Sequence, residues 1–503
     1  ALNMILKPDI EDVKIVGYYL GKVILGLALT MLVPIITGFL SGETNAAMDF
    51  ILGMELALII VLALEKICFT RKEVRWMHGM IIVSLSWIAA MFIGAIPLYL
   101  SGHYLSYMDA CFEAMSGFAT TGLTLVQDLD HMGYAHNLWR HMTMFIGGQG
   151  IIVIMLSLFT KAGSGAFRIY VGEARGEKIM PNVVNTARFI WMVSIIYLIM
   201  GTLALGAIGI ANGMKPLSSL FHGVCIFMAG FDTGGFTPQS QNILYYHSLA
   251  YEVVIIVIMI LGAINFKVHY HVWTGNFKEA WKNIELTVLF FTIFITLFIT
   301  LSGLNQQNTY PSAMVLFRRG FYQLISAHTG TGYANIYSQQ FIREWGNLAL
   351  AGIIFAMALG GSSCSTTGGI KMIRIGIIFK ALIQDIKRVI LPERAVVVQS
   401  IHHVDKIFLE DRQVRSAFWV TLAYLILYGL GALIGMGYGY PFLDSLFEST
   451  SAAANVGLSC GITRAAMPTG LKITYIVQMW AGRLEFISVF TLFGFFVAAL
   501  KGK

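Results

Sequence analysis

The chain has 503 residues, of which 57% are hydrophobic and only 12% charged, and its formal net charge is +7. Soluble domains carry roughly a quarter charged residues, so this composition excludes an ordinary globular fold and marks an integral membrane protein whose full length can serve one polytopic body. The basic excess does not imply a nucleic-acid partner, because the lysines and arginines fall in short loops between apolar runs, where membrane orientation accounts for them.

The start, Ala1 to Glu11, is polar and leads straight into a full-length span, with no cleavable signal visible. Residues 1–78 hold two leading spans, about Ile15 to Leu40 and Phe50 to Cys68, each near or above the roughly 20 residues that cross a bilayer core as helix. Lys66, Arg71, Lys72 and Arg75 follow the second run, whereas Ser41 to Asp49 has no basic residue, so the amino terminus is expected in the cytoplasm. Residues 79–162 form a first repeat: a helix from about Met80 to Leu100, a short re-entrant helix through Ser106 to Ala119, and an exit from about Asn137 to Phe159. An inner loop with Lys161, Arg168, Arg175, Lys178 and Arg188 follows.

The second repeat, 163–268, runs from Phe189 to Ala211, re-enters from Leu217 to Phe231 and exits from Leu249 to Phe266. The third, 269–390, begins near Ile284, re-enters from Ser312 to His328, and leaves from Trp345 through a broken second helix. Arg318, Arg319 and Arg343 on its outer side oppose the orientation, but Lys371, Arg374, Lys380, Lys387, Arg388, Arg394, Lys406, Arg412 and Arg415 in the next inner stretch outweigh them. The fourth, 391–503, runs from Ala417 to Met436, re-enters from Phe442 to Ala454 and exits from Lys472 to Leu500 beside Lys501 and Lys503. The expected fold is therefore an all-α polytopic membrane protein: two leading transmembrane helices plus four helix–pore loop–helix repeats in pseudo-fourfold arrangement, with both termini cytoplasmic.

One short pattern recurs in all four repeats: a small residue, then, six positions on, glycine followed by a large apolar or aromatic residue. It reads Ser116 to Leu123, Ala229 to Phe236, Ser326 to Tyr333 and Ser451 to Leu458. The register glycines Gly122, Gly235, Gly332 and Gly457 lie roughly a hundred residues apart, too far for a solenoid repeat. Four such loops around one axis would present stacked rings of backbone carbonyls in place of the hydration shell of an ion. The carbonyls proposed for the rings belong to Thr120, Thr121 and Gly122; Thr233, Gly234 and Gly235; Gly330, Thr331 and Gly332; and Asn455, Val456 and Gly457. The alternative for each segment alone is small-residue helix packing.

A second signal is the polar run Gly360-Gly361-Ser362-Ser363-Cys364-Ser365-Thr366-Thr367-Gly368-Gly369, which interrupts an apolar helix about 22 Å along from Trp345. Non-helical backbone at that depth must be buried in protein or line a wet cavity, so the run is expected to plug the pore below the filter; the alternative is a loop that begins early. Arg483, read as lying within the last apolar helix, would cost about 2.5–3.5 kcal/mol on insertion scales unless partnered. It is expected to donate to carbonyls of the Gly360–Gly369 segment and hold the plug closed, or else to be purely structural. Glu113 and Glu448 occupy the same position in the first and fourth re-entrant helices and are expected to brace them, the alternative being a cation-attracting role at the outer side. His402-His403 and His269-Tyr270-His271 read as solvated or interfacial rather than metal-binding, Gly163-Ser164-Gly165 as a flexible loop, and four of the five scattered cysteines, which sit in apolar segments, as small apolar side chains.

The stretches Phe112-Glu113-Ala114-Met115-Ser116-Gly117-Phe118-Ala119-Thr120-Thr121-Gly122, Thr233-Gly234-Gly235-Phe236, Gly360-Gly361-Ser362 through Gly368-Gly369-Ile370-Lys371, and Gly482-Arg483-Leu484-Glu485 together resemble the TrkH/KtrB superfamily of potassium transporters. The likeness runs from about Val13 to the end, and the two leading spans make the chain more similar to TrkH than to KtrB. The resemblance implies a homodimer with one pore per subunit, K+ as the transported ion, a gating loop at Gly360 to Gly369 and a gate arginine at Arg483. It also implies a cytosolic TrkA-like ring of nucleotide-binding regulatory subunits; this chain has no nucleotide site and no organic cofactor of its own. In relatives a serine at the first filter glycine accompanies sodium transport, and Gly122 is glycine here. Asp232 and His328 depart from the family pattern, and Asp232 leaves the ion preference open.

The expected function is potassium uptake across a prokaryotic plasma membrane through a channel-like pore with a four-part filter and an intramembrane gate. A sodium-permeable or proton-coupled cation transporter is one alternative. A polytopic membrane enzyme acting on lipid is the other, and it lacks the convergent polar groups such chemistry needs.

Overall fold

A computed structural model describes residues 8–151, 153, 164–173, 182–392, 397–403 and 405–501. Gly163, the loop residues Lys161, Arg175, Lys178 and Arg394, and the tail residue Lys503 lie outside them. Six described helices are long and apolar enough to cross a membrane: Ile10–Leu40, Thr44–Cys68, Trp76–Leu100, Val183–Ala211, Ile284–Gln306 and Asp411–Gly437. These are the two leading spans and the opening helix of each repeat. Asp9 starts the first with a capping box to Asp12. Gly17 and Gly21 then let it approach Cys68, Leu64 and Val61 of the second, as small residues do between membrane helices.

Four shorter helices follow the opening helices and pack against them: Tyr107–Phe118, Pro216–Phe231, Ala313–His328 and Phe442–Ala453. Ser106 and Ser312 cap the first and third through their hydroxyls, and Pro216 sits at the first position of the second.

The exit segments differ from expectation. Only the third was expected to break, yet all four are interrupted at equivalent places beyond the register glycines. The first, Tyr134–Gln149, stops at Gly150 with φ 99°. The second, Leu249–Ala263, turns by 104° into Phe266–Trp273, and the third, Gly346–Ala358, runs into the polar segment. The fourth, Thr469–Arg483, turns by 111° into Ile487–Lys501. Arg483 therefore ends a helix rather than lying within one, and Glu485 and Phe486 just beyond it have φ of 52° and 72°. The cause is close packing in the centre. Cβ atoms on Gly147, Gly262 and Gly482 would meet the carbonyl oxygens of Phe118, Phe231 and Ala453 at 1.7, 1.9 and 1.9 Å. The first, second and fourth exit helices thus press against the last carbonyls of the re-entrant helices and cannot run straight past them, whereas in the third a Cβ on Gly360 would meet the Gly368 oxygen of the polar segment itself.

The described residues depart from an all-helical chain in an isolated parallel bridge between Leu359 and Ile370 and in a β-hairpin, Ser400–His403 paired antiparallel with Asp405–Phe408. Its Ile401 packs with Ile284, Ile377 and Ala417. His403, expected to be solvated or interfacial, is buried, and so is His269, whose Nε2 lies 3.0 Å from the Leu261 carbonyl. Of the three arginines that opposed the orientation, two are partnered by other segments: Arg318 forks onto Glu252 at 2.8 Å and Arg319 donates to the Asn335 carbonyl, while Arg343 is exposed. Partnered arginines report tertiary contacts rather than sidedness.

Candidate functional site

The recurrent pattern has a local cause. After each re-entrant helix the chain reverses in the same turn: the N–H groups of Thr121, Gly234, Thr331 and Val456 donate to the carbonyls of Ser116, Ala229, Ser326 and Ser451 at 2.8, 2.7, 2.9 and 2.9 Å. The hydroxyls of Ser116 and Ser451 also accept from the N–H of Gly122 and Gly457, each at 3.0 Å. The small residue is thus the acceptor that shapes the loop. The turn places Thr120, Thr233, Gly330 and Asn455 at φ of 52°, 51°, 71° and 56°, and the register glycines at 92°, 80°, 80° and 92°. Left-handed backbone at two β-branched threonines costs about 1–3 kcal/mol each and persists only where the surroundings over-determine it.

The four loops touch in chain order and return to the first. A Cβ on Gly122 would lie 2.2 Å from the Gly234 oxygen, one on Gly235 2.1 Å from that of Thr331, one on Gly332 1.9 Å from that of Val456, and one on Gly457 2.0 Å from that of Thr121. Each glycine is therefore demanded twice, by its φ and by the neighbouring carbonyl.

Buried polar groups hold the loops from behind. Glu113 accepts from the Leu125 N–H at 2.9 Å and from Thr124 Oγ1, and Glu448 accepts from the Cys460 and Thr463 N–H groups at 2.9 and 2.8 Å. Both carboxylates are fully buried. The mate of Glu113 is Arg140, which the sequence reading did not single out: it is 2.8 Å from the carboxylate, donates to the Thr237 carbonyl and stacks over Phe236. A buried acid in an apolar helix was the available signal, since such charges are paired. Asn455 Nδ2 bridges Thr121 Oγ1 and the Met479 carbonyl at 3.0 and 2.9 Å, joining the fourth loop to the first. Asp232 accepts from Gln149 at 2.7 Å, and a Cβ on Gly148 would fall 2.3 Å from its Oδ1, so this carboxylate is directed at the first exit helix. His328 reaches Thr292 at 2.9 Å.

The polar segment lies directly against one end of the loops. The Gly360 N–H donates to the Ile370 carbonyl, closing the segment at its base at 2.9 Å. Thr366 Oγ1 donates to the carbonyls of Phe231 and Gly262 and lies 3.3 Å from Thr233 Oγ1. A Cβ on Gly368 would be 2.3 Å from the Ala454 oxygen, and Gly361 and Ser362 lie against the Ala263 carbonyl. Ser363 and Gly369 complete the run; Gly369 has φ 68°. Arg483 reaches across to four acceptors among the described residues: the Thr366 carbonyl, the Gly147 and Gly148 carbonyls at 2.8 and 3.4 Å, and Thr120 Oγ1 at 3.2 Å. The segment and its arginine thereby touch the second and fourth loops and, through Thr120, the first, and a Cβ on Gly330 of the third would lie 3.9 Å from the Gly368 nitrogen. Glu485 pairs with Arg374 just after the segment.

The two ends of the loops open differently. At the glycine end a cavity of about 270 Å³ is lined by Gly122, Thr124, Asn242, Gly332, Tyr337 and Gly457, and no charged side chain lines it. At the other end the space beside Thr367, Gly368, Lys371 and Arg483 holds about 20 Å³, enough for a single water. Among the described residues no group of three or more His, Cys, Asp or Glu side chains could hold a metal.

Residues 49–497 match the TrkH family model, described as a cation transport protein. The chain is 34% identical over 97% of its length, and 96% of the relative's, to an uncharacterized cation transporter of Methanocaldococcus jannaschii. It is 26% identical over 84% of its length, and 86% of the relative's, to the Trk system potassium uptake protein TrkH of Escherichia coli. Its fold matches the crystal structure of the potassium transporter TrkH from Vibrio parahaemolyticus with TM-score 0.78, covering 95% and 98% of the two chains at 23% identity.

Proposed function

The chain belongs to the TrkH family of cation transport proteins, and from that premise we propose that it takes up potassium through a pore whose filter is the four glycine loops. The carrying observation is the closed cycle of glycine-to-carbonyl contacts from Gly122 through Gly235 and Gly332 to Gly457. Carbonyls of Thr120, Thr121, Gly122 and their counterparts in the other three loops would replace the water around the ion. The neutral cavity at the glycine end is the outer mouth, and the segment Gly360–Gly369, fastened by Arg483, is a gate in its closed arrangement beneath the filter. Both termini and the hairpin then face the cytoplasm of a prokaryotic cell, in keeping with the basic inner loops. Inward flux runs down the membrane potential, about 2.3 kcal/mol per charge per 100 mV. A homodimer, regulated by a TrkA-like nucleotide-binding ring, is the assembly we infer from the relatives' Trk system. Coupling to protons would have rested on Asp232, and its partner Gln149 supports a bracing role instead.

The test is rubidium uptake into proteoliposomes holding the purified chain, with potassium, sodium and lithium as competitors. Competition by potassium at concentrations where sodium is silent is the expected result; equal competition by sodium would refute a potassium-selective filter.

A further inference from the structure

The gate segment is fastened at a second point, of opposite charge to Arg483. Glu285 is the second residue of the helix Ile284–Gln306 and is fully buried. An acid there suits the helix dipole, but its two oxygens reach beyond the helix. One accepts the backbone N–H of Ser363 at 2.6 Å. The other lies 3.6 Å from His403 Nδ1 of the hairpin and 3.4 Å from Asn265 Nδ2, which itself donates to Ser363 Oγ at 3.3 Å. Asn283 ties the same groups together: its Oδ1 accepts the Glu285 N–H at 2.9 Å and faces His403 at 3.4 Å. His402, the next residue along the strand, lies 3.0 Å from Glu279. Two histidines of one short hairpin are thus seated on the stretch of chain that holds the gate's amide, and the hairpin is anchored there by Ile401 against Ile284 and Ile377.

We propose that Glu285 is a positioning residue through which the hairpin Ser400–Phe408 holds the Gly360–Gly369 segment in its closed arrangement. A cation, Arg483, grips a carbonyl of the segment at Thr366, and an anion, Glu285, grips an amide of it at Ser363. Each uses the charge that the peptide group it holds prefers. Arg483 is braced by the filter frame, whereas Glu285 is braced by the hairpin, so displacement of the hairpin reaches the gate without passing through the filter. The inference rests on the gating role proposed above for this segment.

The test uses the full chain in proteoliposomes with two readouts: rubidium uptake, and the rate at which a small cationic thiosulfonate labels Cys364, in a background with the other four cysteines replaced by alanine. Cys364 lies in the segment and lines the narrow space beneath the filter. Glu285→Ala is expected to raise both uptake and labelling about tenfold or more, the value of one lost charge-assisted hydrogen bond. Glu285→Gln keeps an acceptor for Ser363 but no charge toward His403, and serves if the alanine variant fails to fold. His403→Ala should raise both readouts severalfold with Glu285 present and change neither in the Glu285→Gln or Glu285→Ala background. Folded Glu285 variants with unchanged labelling, or a His403→Ala effect of equal size in every background, would overturn the proposal. Labelling that follows the expected pattern in a chain carrying no rubidium would instead overturn the transport reading and leave the mechanical link standing.

Discussion

Replacing Arg483 by glutamine separates gating from folding. Of the arginine's acceptors among the described residues, the Gly147 and Gly148 carbonyls and Thr120 belong to the fixed frame, and only the Thr366 carbonyl belongs to the proposed gate segment. Bonds within the frame weigh equally on the closed and open arrangements, so they affect stability and not the equilibrium between the two. On the proposed gating role, the Thr366 bond exists only when the segment is closed. A hydrogen bond to a charged group contributes about 1.5–3 kcal/mol net, and each 1.4 kcal/mol or so is tenfold in an equilibrium. Arg483→Gln should therefore raise unstimulated rubidium uptake about 10- to 100-fold while lowering the unfolding temperature through the lost frame bonds. Arg483→Lys should fall between, since a point ammonium cannot span acceptors on two sides as the guanidinium fork does. Potassium-over-sodium competition should not move, because the filter carbonyls are untouched. A monodisperse Arg483→Gln protein whose uptake equals wild type would refute the reasoning, and so would one whose uptake rises while its ion preference collapses.

Gly235→Ala would place a Cβ 2.1 Å from the Thr331 oxygen at a φ of 80°, so uptake should fall at least about a hundredfold, the order reached when a positive-φ glycine is also sterically blocked. Gly494→Ala, where nothing lies within 4 Å, should leave uptake unchanged and stability within about 0.5 kcal/mol. In Glu448→Gln the amide cannot serve the Ser459 hydroxyl and the N–H groups of Cys460 and Thr463 as the carboxylate does; denaturation should show a loss of about 1–3 kcal/mol, with sodium competition strengthened as the fourth loop loosens. Asp232→Asn keeps an acceptor for Gln149, so uptake and its independence of an imposed proton gradient should both persist; a gradient response abolished by the substitution would revive proton coupling.

The membrane class, the opening helices and the position of every glycine loop were legible from the amino acids because each follows from a local demand. Apolar length decides a span, and a left-handed turn decides a glycine. The spacing of Ser116 to Gly122 and of Ser451 to Gly457 records a bond made within seven residues, so it survives in the one-dimensional order. What folding alone decided are features whose partners lie far away in the chain. The first, second and fourth exit helices break where glycines meet carbonyls of re-entrant helices, so the apolar run from Lys472 to Leu500 gave no sign that Arg483 ends a helix. Arg140 with Glu113, Glu285 with Ser363, and the burial of His403 each join residues from separate elements. Hydropathy reports how a side chain meets lipid or water, and these groups meet neither; their energy comes from one specific partner, which only the packed structure supplies.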